Sequence, residues 1–372
     1  MATVLVAHPS PEKYGSDLQM VRAATGLAAR GWDVAVRVPS HGPLIHDLRA
    51  IDGIGVEVGH FRVLRKGLLS PARLVLLILA VPVDVWRAVR HIRRVGPDVV
   101  YVNTVTLPWW ILAARLCRRP VLVHVREAES DVPRVLRFAL AMPLLLATRV
   151  VTNSRASKRV LTDTIPGLAR KTDVLYNGLP DPGPQDGPPK LGRLAFVGRL
   201  SPRKGVDVAL EALALLRSDG RDLELDVCGS VYAGYEWYEE QLRQRAARPD
   251  LAGTVRFLGY VNPTGPVLGG AEVVLIPSRA EPFGNTAVEG LLARRPVVAS
   301  DVQGLTEIIV HGRTGLLVPP GDAEALAAAV AKVLDDPAFA ERLAHDGRQD
   351  ALERFSLQRY VTDVELSLLS LI

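Results

Sequence analysis

Short apolar and β-branched runs recur along the chain, separated by longer stretches in which apolar residues return every three or four positions. In the first half the runs fall at 3–7, 33–38, 99–102, 121–125 and 149–152, with helical patterns such as 17–30 and 83–94 between them. Most of the runs are continuous rather than alternating, as expected of parallel strands buried on both faces by crossover helices. The pattern breaks at 181–189, DPGPQDGPP, where six of nine residues are Pro or Gly. Such a stretch fits neither a helix nor a central strand and reads as a linker. The alternation then resumes, with strands predicted at 194–197, 223–227, 255–258, 273–276, 297–299 and 316–318. An amphipathic helix over 357–372 closes the chain. The pattern predicts an α/β protein with two parallel-sheet domains, 1–180 and 190–356, and a last helix that packs back onto the first. Ligands of open α/β sheets bind beyond the carboxyl ends of the strands, which places the expected site in a cleft between the domains.

Composition narrows this picture. With 372 residues, 48% hydrophobic and 23% charged, the chain supports two folded cores and is not disordered. Its two cysteines, Cys117 and Cys228, exclude a disulfide framework or a cysteine-based zinc site and read as buried thiols. The net charge of +5 hides an asymmetry: residues 1–180 carry 25 Lys and Arg against 13 Asp and Glu, residues 181–372 carry 20 against 27. The longest uncharged run, 99–114, contains Asn103 and Pro108 and is too short to span a bilayer. The N-terminal MATVLVAHPS has no basic segment before its apolar stretch, so a cytoplasmic protein is expected. Between 61 and 94, Arg62, Arg65, Lys66, Arg73, Arg87, Arg90, Arg93 and Arg94 surround the apolar run 74–83. That stretch is either a solvated basic surface or a peripheral contact with anionic membrane. Nucleic acid is not an expected partner, because no recognition motif or aromatic cluster accompanies the basic residues.

The candidate chemistry lies mostly in the second half. Neither GxGxxG nor GxxxxGK[ST] occurs, which disfavours nicotinamide, flavin and P-loop chemistry. In AFVGRLSPRKGVD (195–207) a strand is followed by Gly198, then Arg199 and Lys204, a pair of cations suited to a diphosphate. By itself the segment reads first as an ordinary solvated loop. In IPSRAEPFGNTAVEGLLARR (276–295), Pro282 and Gly284 precede a helix expected to start near Asn285 or Thr286 as N-cap. The amides of that helix start suit phosphate or sugar hydroxyls. Glu281 and Glu289 offer charged acceptors for hydroxyl groups, although the bare spacing alone reads first as a solvated helix. No DxD triplet occurs; ExD appears only at Glu129–Asp131 and Glu224–Asp226.

Taken together, PSRAEPFGNTAVEG, VGRLSPRKGVD, VLYNGLPD, VCGS, VRFLGYV and TEIIVHGRTGLLVPPGD resemble the retaining glycosyltransferases of family 4, which have the GT-B fold of two Rossmann-like domains. The resemblance covers nearly the whole chain and is strongest from 174 to 322. It implies a nucleoside-diphosphate sugar as donor, bound by the second domain. Arg199 and Lys204 would hold the diphosphate, Glu289 the ribose, and Glu281 with the backbone of Phe283, Gly284 and Asn285 the transferred sugar. Thr286 would assist with phosphate, Gly198 and Gly229 would line the donor, and the backbone at Tyr260 and Val261 would meet the base. The family is generally metal-independent, and no resident cofactor or metal is expected. In HPSPEKYGSD (8–17) the family's usual glycine pair is replaced by Gly15 and Ser16. In VLVHVREAESD (121–131), His124, or by another register Arg126 and Glu127, would stand near the reacting sugar. No catalytic nucleophile is implied. Asn103 and Thr104 read as a buried turn, Asn153 and Ser154 as a helix cap, Asn177 and Gly178 as a turn; Trp109 and Trp110 suit an acceptor groove or the core.

The first half is similar to transferases that build bacterial cell-surface polysaccharides. A glycan or lipid-linked acceptor is therefore expected, with an anionic membrane surface as a further partner of the basic domain on the inner face of the membrane. A soluble small-molecule acceptor, or a nucleotide-sugar epimerase or hydrolase of the same fold, is the alternative.

Overall fold

The computed structural model describes residues 1–64, 71–127, 133–183 and 189–372, with the backbone alone over 71–79. It divides into two compact units, one formed by Met1–Gly178 with Leu357–Ile372, the other by Leu179–Ser356. In the first unit the order is β1 (Thr3–Ala7), α1 (Gly15–Ala29), β2 (Asp33–Val38), α2 (Pro43–Arg49), β3 (Ile54–Val58), α3 (Pro71–Val95), β4 (Val99–Val102), α4 (Pro108–Leu116), β5 (Val121–Val125), α5 (Arg134–Ala141), β6 (Arg149–Thr152), α6 (Arg155–Thr164) and β7 (Thr172–Val174). The second unit contains β8 (Arg193–Val197), α7 (Val206–Ser218), β9 (Glu224–Cys228), α8 (Glu236–Ala246), β10 (Val255–Gly259), α9 (Gly265–Gly270), β11 (Val273–Ile276), α10 (Asn285–Leu292), β12 (Val297–Ser300), α11 (Leu305–Ile308), β13 (Leu316–Val318), α12 (Ala323–Asp335) and α13 (Pro337–Arg354). The last helix, α14 (Leu357–Leu369), belongs to the first unit. Residues 184–188 of the Pro/Gly segment lie outside the described residues.

Both sheets are parallel, in the orders β3-β2-β1-β4-β5-β6-β7 and β10-β9-β8-β11-β12-β13. The period of two along β1 explains the double-sided core of the first sheet. Leu5 and Ala7 pack on one face with Val100, Val102, Trp110 and Ile111. Val4 and Val6 pack on the other with Met20 and Leu27 of α1 and Tyr360, Val364 and Leu368 of α14. Trp109 and Trp110 are therefore core residues, and the Trp109 indole donates to the Arg62 carbonyl at 2.7 Å. The seat of α14 is cut into α1: a Cβ at Gly26 would lie 2.4 Å from Val361 Cγ2. Trp32 Nε1 donates to Glu365 at 3.0 Å, and the Arg30 guanidinium reaches Thr362 Oγ1 at 2.7 Å.

Two strands, β3 and β7, are absent from the sequence expectation. Both are sheet edges, paired on one side only, so neither needs a continuous apolar run; IGVEV and TDV are broken by Gly55, Glu57 and Asp173. Helix α3 also begins earlier than expected and carries Pro82 inside it.

On α3, His91 is enclosed by the edge of Trp110 (5.9 Å between ring centres), Arg94, Arg37 and Glu57. Burial, and then Arg37, push its pKa down to about 4, against the partial support of Glu57. Between that value and about 6.5 the unfolded chain binds a proton that the folded chain does not, so stability falls as pH drops through this window. His91→Gln is expected to flatten this part of the decline in urea unfolding between pH 7 and 4.5; an unaltered slope would contradict the placement.

Candidate active site

Parallel crossovers bring the loops that follow β8 and β11, neighbours in the sheet, to the same edge of the second unit. After β8 the chain makes a tight turn at Pro202–Lys204, and Gly205 opens α7 at φ +70°. A Cβ there would lie 1.9 Å from the Pro277 carbonyl oxygen, so the two loops are in backbone contact where a side chain cannot fit.

Side chains fasten the same pair of loops. The Lys204 ammonium is paired with the Glu281 carboxylate, which is 7% exposed. The Glu281 amide donates to Gln303 Oε1 at 2.8 Å, and its carbonyl accepts from Gly304 N at 3.0 Å. Beside this pair, Arg279 forks onto Asp207 at 2.9 and 2.6 Å, and the Tyr238 hydroxyl donates to Asp207 at 2.7 Å. Burial alone would raise the Asp207 carboxyl, but the hydrogen bonds from Arg279 and Tyr238 hold it below its ordinary value. Arg279 also donates to the Pro202 carbonyl, and Arg203 to the Ala280 carbonyl, both at 2.7 Å.

Around this clamp the expected donor residues fall into adjoining groups, Gly229 lying against the Gly198 carbonyl where a Cβ could not fit. The Lys204 stem passes 3.9 Å from the position of a Cβ on Gly198, and Glu281 Cγ lies 3.5 Å from that of one on Gly284. Gly198, Lys204, Glu281 and Gly284 are thus contiguous. Gly284, at φ +119°, caps α10, so Asn285 and Thr286 are its first residues and not its N-cap as expected. The reason is that Phe283 turns inward onto Phe355, 5.7 Å between ring centres, and the chain then needs a left-handed residue to enter the helix. Glu289, inside α10, accepts from Thr264 Oγ1 at 3.3 Å, in the loop that begins with the exposed Tyr260 and partly buried Val261. Arg199 lies over the ring of Tyr232, in the loop after β9 that starts at Gly229.

In the first unit, Gly15 and Ser16 are exposed in the first turn of α1. His124 and Arg126, expected as alternatives near the sugar, are both closed in. His124 lies within β5 and is fully buried; Arg126 is 8% exposed. The His124 ring accepts from the Tyr101 hydroxyl at 2.7 Å, and burial, then Arg126, push its pKa well down. Arg126 donates to Asn103 at 2.9 Å, Asn177 at 2.8 Å and the Tyr360 hydroxyl at 3.0 Å. Glu127 alone of the three keeps partial exposure. Its carboxylate accepts from Thr104 Oγ1 at 2.7 Å and the Arg126 amide at 2.9 Å, and burial pushes its pKa up against those hydrogen bonds. Ser154 caps α6, accepting from Ser157 N at 2.9 Å, as expected. Asn177 is more than a turn residue, being buried against Arg126.

Glu129 and Asp131 of one ExD triplet lie outside the described residues, as do Arg65 and Lys66 of the basic stretch and the side chain of Arg73. In the other triplet, Glu224 pairs with Arg193 and Asp226 with Arg256. Among the described residues no group of three or more His, Cys, Asp or Glu is placed to hold a metal ion. Sequence reasoning missed Asp207, Tyr238, Arg279 and Gln303 in the second unit and His8 and Asp17 in the first. Asp207, Arg279, His8 and Asp17 stand inside the quoted motifs, but nothing local to the sequence pairs them.

Comparisons with known proteins give the family and the fold. Residues 15–181 match the family model described as Glycosyltransferase Family 4, and residues 192–336 match Glycosyl transferases group 1. The chain belongs to glycosyltransferase family 4. This family 4 chain is 36% identical over 206 residues to the glycogen synthase of Mycobacterium tuberculosis, covering 53% of this chain and 48% of that protein. It thus spans about half the length of that relative. It is 29% identical over 290 residues to the lipopolysaccharide core biosynthesis glycosyltransferase LpsD of Rhizobium meliloti, covering 76% and 78% of the two chains. Among solved structures, HepE of Anabaena in complex with UDP-glucose superposes with a TM-score of 0.85 at 25% identity over 100% of both chains. The two parallel α/β units are those of a GT-B glycosyltransferase.

The close approach at Gly205 is testable against a control. Gly205→Ala is expected to lose more stability than Gly220→Ala, whose φ of +83° is similar but where a Cβ meets nothing within 4 Å. The control carries the left-handed cost alone, roughly 1–2 kcal/mol; equal losses in urea unfolding would contradict the loop contact.

Proposed function

We propose that this family 4 chain is a retaining glycosyltransferase that moves a sugar from a nucleoside-diphosphate sugar to a lipid-linked or polysaccharide intermediate of cell-envelope glycan synthesis. The observation that carries the reading is the Lys204–Glu281 pair, held by two adjoining loops next to the start of α10. Cleavage of the donor's glycosidic bond puts negative charge on the departing diphosphate. Lys204, Arg199 and the first amides of α10 stabilise that charge where it develops, and Thr286 adds a hydroxyl donor. Lys204 exchanges its carboxylate partner for the diphosphate, which frees Glu281 to accept hydrogen bonds from the transferred sugar together with the backbone of Phe283, Gly284 and Asn285. Glu289 takes the ribose hydroxyls, Gly198 and Gly229 allow close backbone approach, and the chain at Tyr260–Val261 meets the base. With cations supplied by the protein, the reading requires no divalent metal.

In the first unit, the exposed Gly15 and Ser16 at the start of α1 serve the acceptor or the donor phosphate, and Glu127, the most open of His124, Arg126 and Glu127, serves the reacting sugar. The role of LpsD in lipopolysaccharide core synthesis supports an envelope acceptor. The exposed face of α3 supports peripheral membrane docking. Val83 and the 58% exposed Trp86 share it with Arg87, Arg90 and Arg93, and the Arg90 guanidinium lies 5.7 Å from the Trp86 ring centre. Basic residues with an interfacial tryptophan suit anionic headgroups, at about 1 kcal/mol per Arg near the surface. Among the described residues no helix is long and apolar enough to cross a membrane. The proposed location is the inner, cytoplasmic face.

Nucleotide sugars are screened by thermal shift, with UDP-glucose, the compound bound to HepE, as first probe. With the donor that raises the melting temperature most, Lys204→Ala and Glu281→Ala are each expected to lower transfer by about 10²–10³-fold with circular dichroism unchanged. Near-normal turnover in either would overturn the assignment. Nucleoside diphosphate release independent of any acceptor would favour a hydrolase or epimerase instead, and inversion of the anomeric centre, read by NMR, would overturn the retaining mechanism. Vesicles rich in phosphatidylglycerol are expected to bind the protein at low salt and release it as salt rises. Trp86→Ser with Arg90→Glu is expected to abolish that binding; unchanged binding would remove α3 as the contact.

A further inference from the structure

The first unit contains a chain of buried polar groups that the reaction, as proposed, does not use. It begins at Arg126. Its Nε donates to Asn103 Oδ1 at 2.9 Å, one terminal nitrogen to Asn177 Oδ1 at 2.8 Å, and the other to the Tyr360 hydroxyl at 3.0 Å and His124 Nδ1 at 3.3 Å. Each nitrogen of the guanidinium is engaged inside the unit.

A guanidinium only donates, so the Asn103 amide must present its oxygen to Arg126 and its nitrogen to the other side. There Asn103 Nδ2 lies 3.0 Å from His8 Nδ1. An amide N–H donates, so His8 Nδ1 is an acceptor. Burial keeps the His8 ring below its ordinary pKa, and a neutral ring with Nδ1 accepting carries its proton on Nε2. That atom lies 3.0 Å from Asp17 Oδ1. The other Asp17 oxygen accepts from the Tyr14 amide at 3.0 Å and lies 3.4 Å from Ser10 Oγ. Tyr14 is the residue that enters α1, immediately before Gly15 and Ser16. Each donor in the series fixes the orientation of the next, from Arg126 at the end of β5, through the end of β4 and the end of β1, to the first turn of α1.

A second arm reaches the same helix. The Tyr360 hydroxyl, held by Arg126, donates to the Gln19 carbonyl at 3.2 Å, and Gln19 Nε2 donates to the Gly178 carbonyl at 3.1 Å. Helix α1 is therefore held at its entry by Asp17 and one turn further in by Tyr360 on α14, and Arg126 is the group common to both arms.

We propose that Arg126 is a positioning residue: through Asn103, His8 and Asp17 on one arm and Tyr360 on the other it fixes the loop at 8–17, and with it Gly15 and Ser16, for the transfer step. The part about transfer rests on the reading given under Proposed function; the part about the loop does not.

Hydrogen–deuterium exchange on the full chain tests the loop. Asn103→Leu breaks the series in the middle, and Arg126→Lys keeps the charge but cannot serve both arms. Each is expected to speed exchange of the amides at 12–18 at least tenfold, with the strands β1 and β4 still protected. His8→Leu is expected to do the same, whereas His8→Gln, which keeps a side-chain donor for Asp17, restores protection. Unchanged exchange at 12–18 in the folded Asn103→Leu protein would overturn the proposal. The role in transfer has its own readout. Asn103→Leu is expected to lower transfer about a hundredfold, while nucleotide-sugar affinity, measured by calorimetry with UDP-glucose or the best donor of the screen, stays within twofold of wild type. Loosened exchange with unimpaired transfer would overturn that role. A wild-type chain without transfer activity would remove the reading of the site, and exchange alone would then decide the fate of the relay.

Discussion

In a sheet whose strands all run the same way, every strand must be followed by a crossover that returns the chain to the starting edge. Each strand-to-helix loop then emerges at the same edge, where its residues escape the packing that fills the sheet faces. Both units obey this constraint, and most of the candidate chemistry follows from it. Lys204 and Glu281 meet because β8 and β11 are sheet neighbours. Asp17, His8, Asn103 and Arg126 meet because β1, β4 and β5 are consecutive in their sheet. Lys204 and Glu281 are far apart in sequence, as are His8, Asn103 and Arg126; only His8 and Asp17 share one loop.

The two clusters handle charge differently. In the second unit, Lys204 and Glu281 are mostly enclosed but keep some exposure, and each satisfies the other. Removing one partner of such a pair leaves the other uncompensated, which disfavours loss of either but permits exchange for a ligand of like charge. A diphosphate entering beside Lys204 is such an exchange. In the first unit, Arg126 is closed in, and its donors go to neutral acceptors, two amide oxygens, a hydroxyl and a histidine nitrogen. This buried network fixes geometry where the other leaves room for a ligand, with the Arg126 guanidinium fully engaged but His124 Nε2 and Gln19 Oε1 left without a hydrogen-bond partner.

The sequence made the central strands readable because strands covered on both faces need continuous apolar runs. It hid β3 and β7, because an edge strand needs neither the run nor a second partner. The donor-side motifs were readable for a related reason: Gly205 and Gly284 are imposed by backbone contact and left-handed conformation, and both leave a mark in the string. The ambiguity between His124 and Arg126–Glu127 could not be resolved from spacing, because it turns on which residues of VHVRE remain in the strand. The structure ends β5 at Val125, which buries His124 in the sheet and leaves Glu127 the most open of the three. The pairings Arg279–Asp207 and His8–Asn103 depend on three-dimensional juxtaposition and carry no local periodicity, whereas Asp17 on the Tyr14 amide is a local contact of the helix start.

The central claim is that the loops following β8 and β11, with the start of α10, hold the diphosphate of a nucleotide sugar. A crystal structure with the nucleotide sugar that most raises thermal stability tests it most directly. The account predicts phosphate oxygens within hydrogen-bonding distance of Lys204 Nζ and the first amides of α10, with Glu281 turned to the sugar. A nucleotide bound elsewhere, with Lys204 still on Glu281, would contradict it.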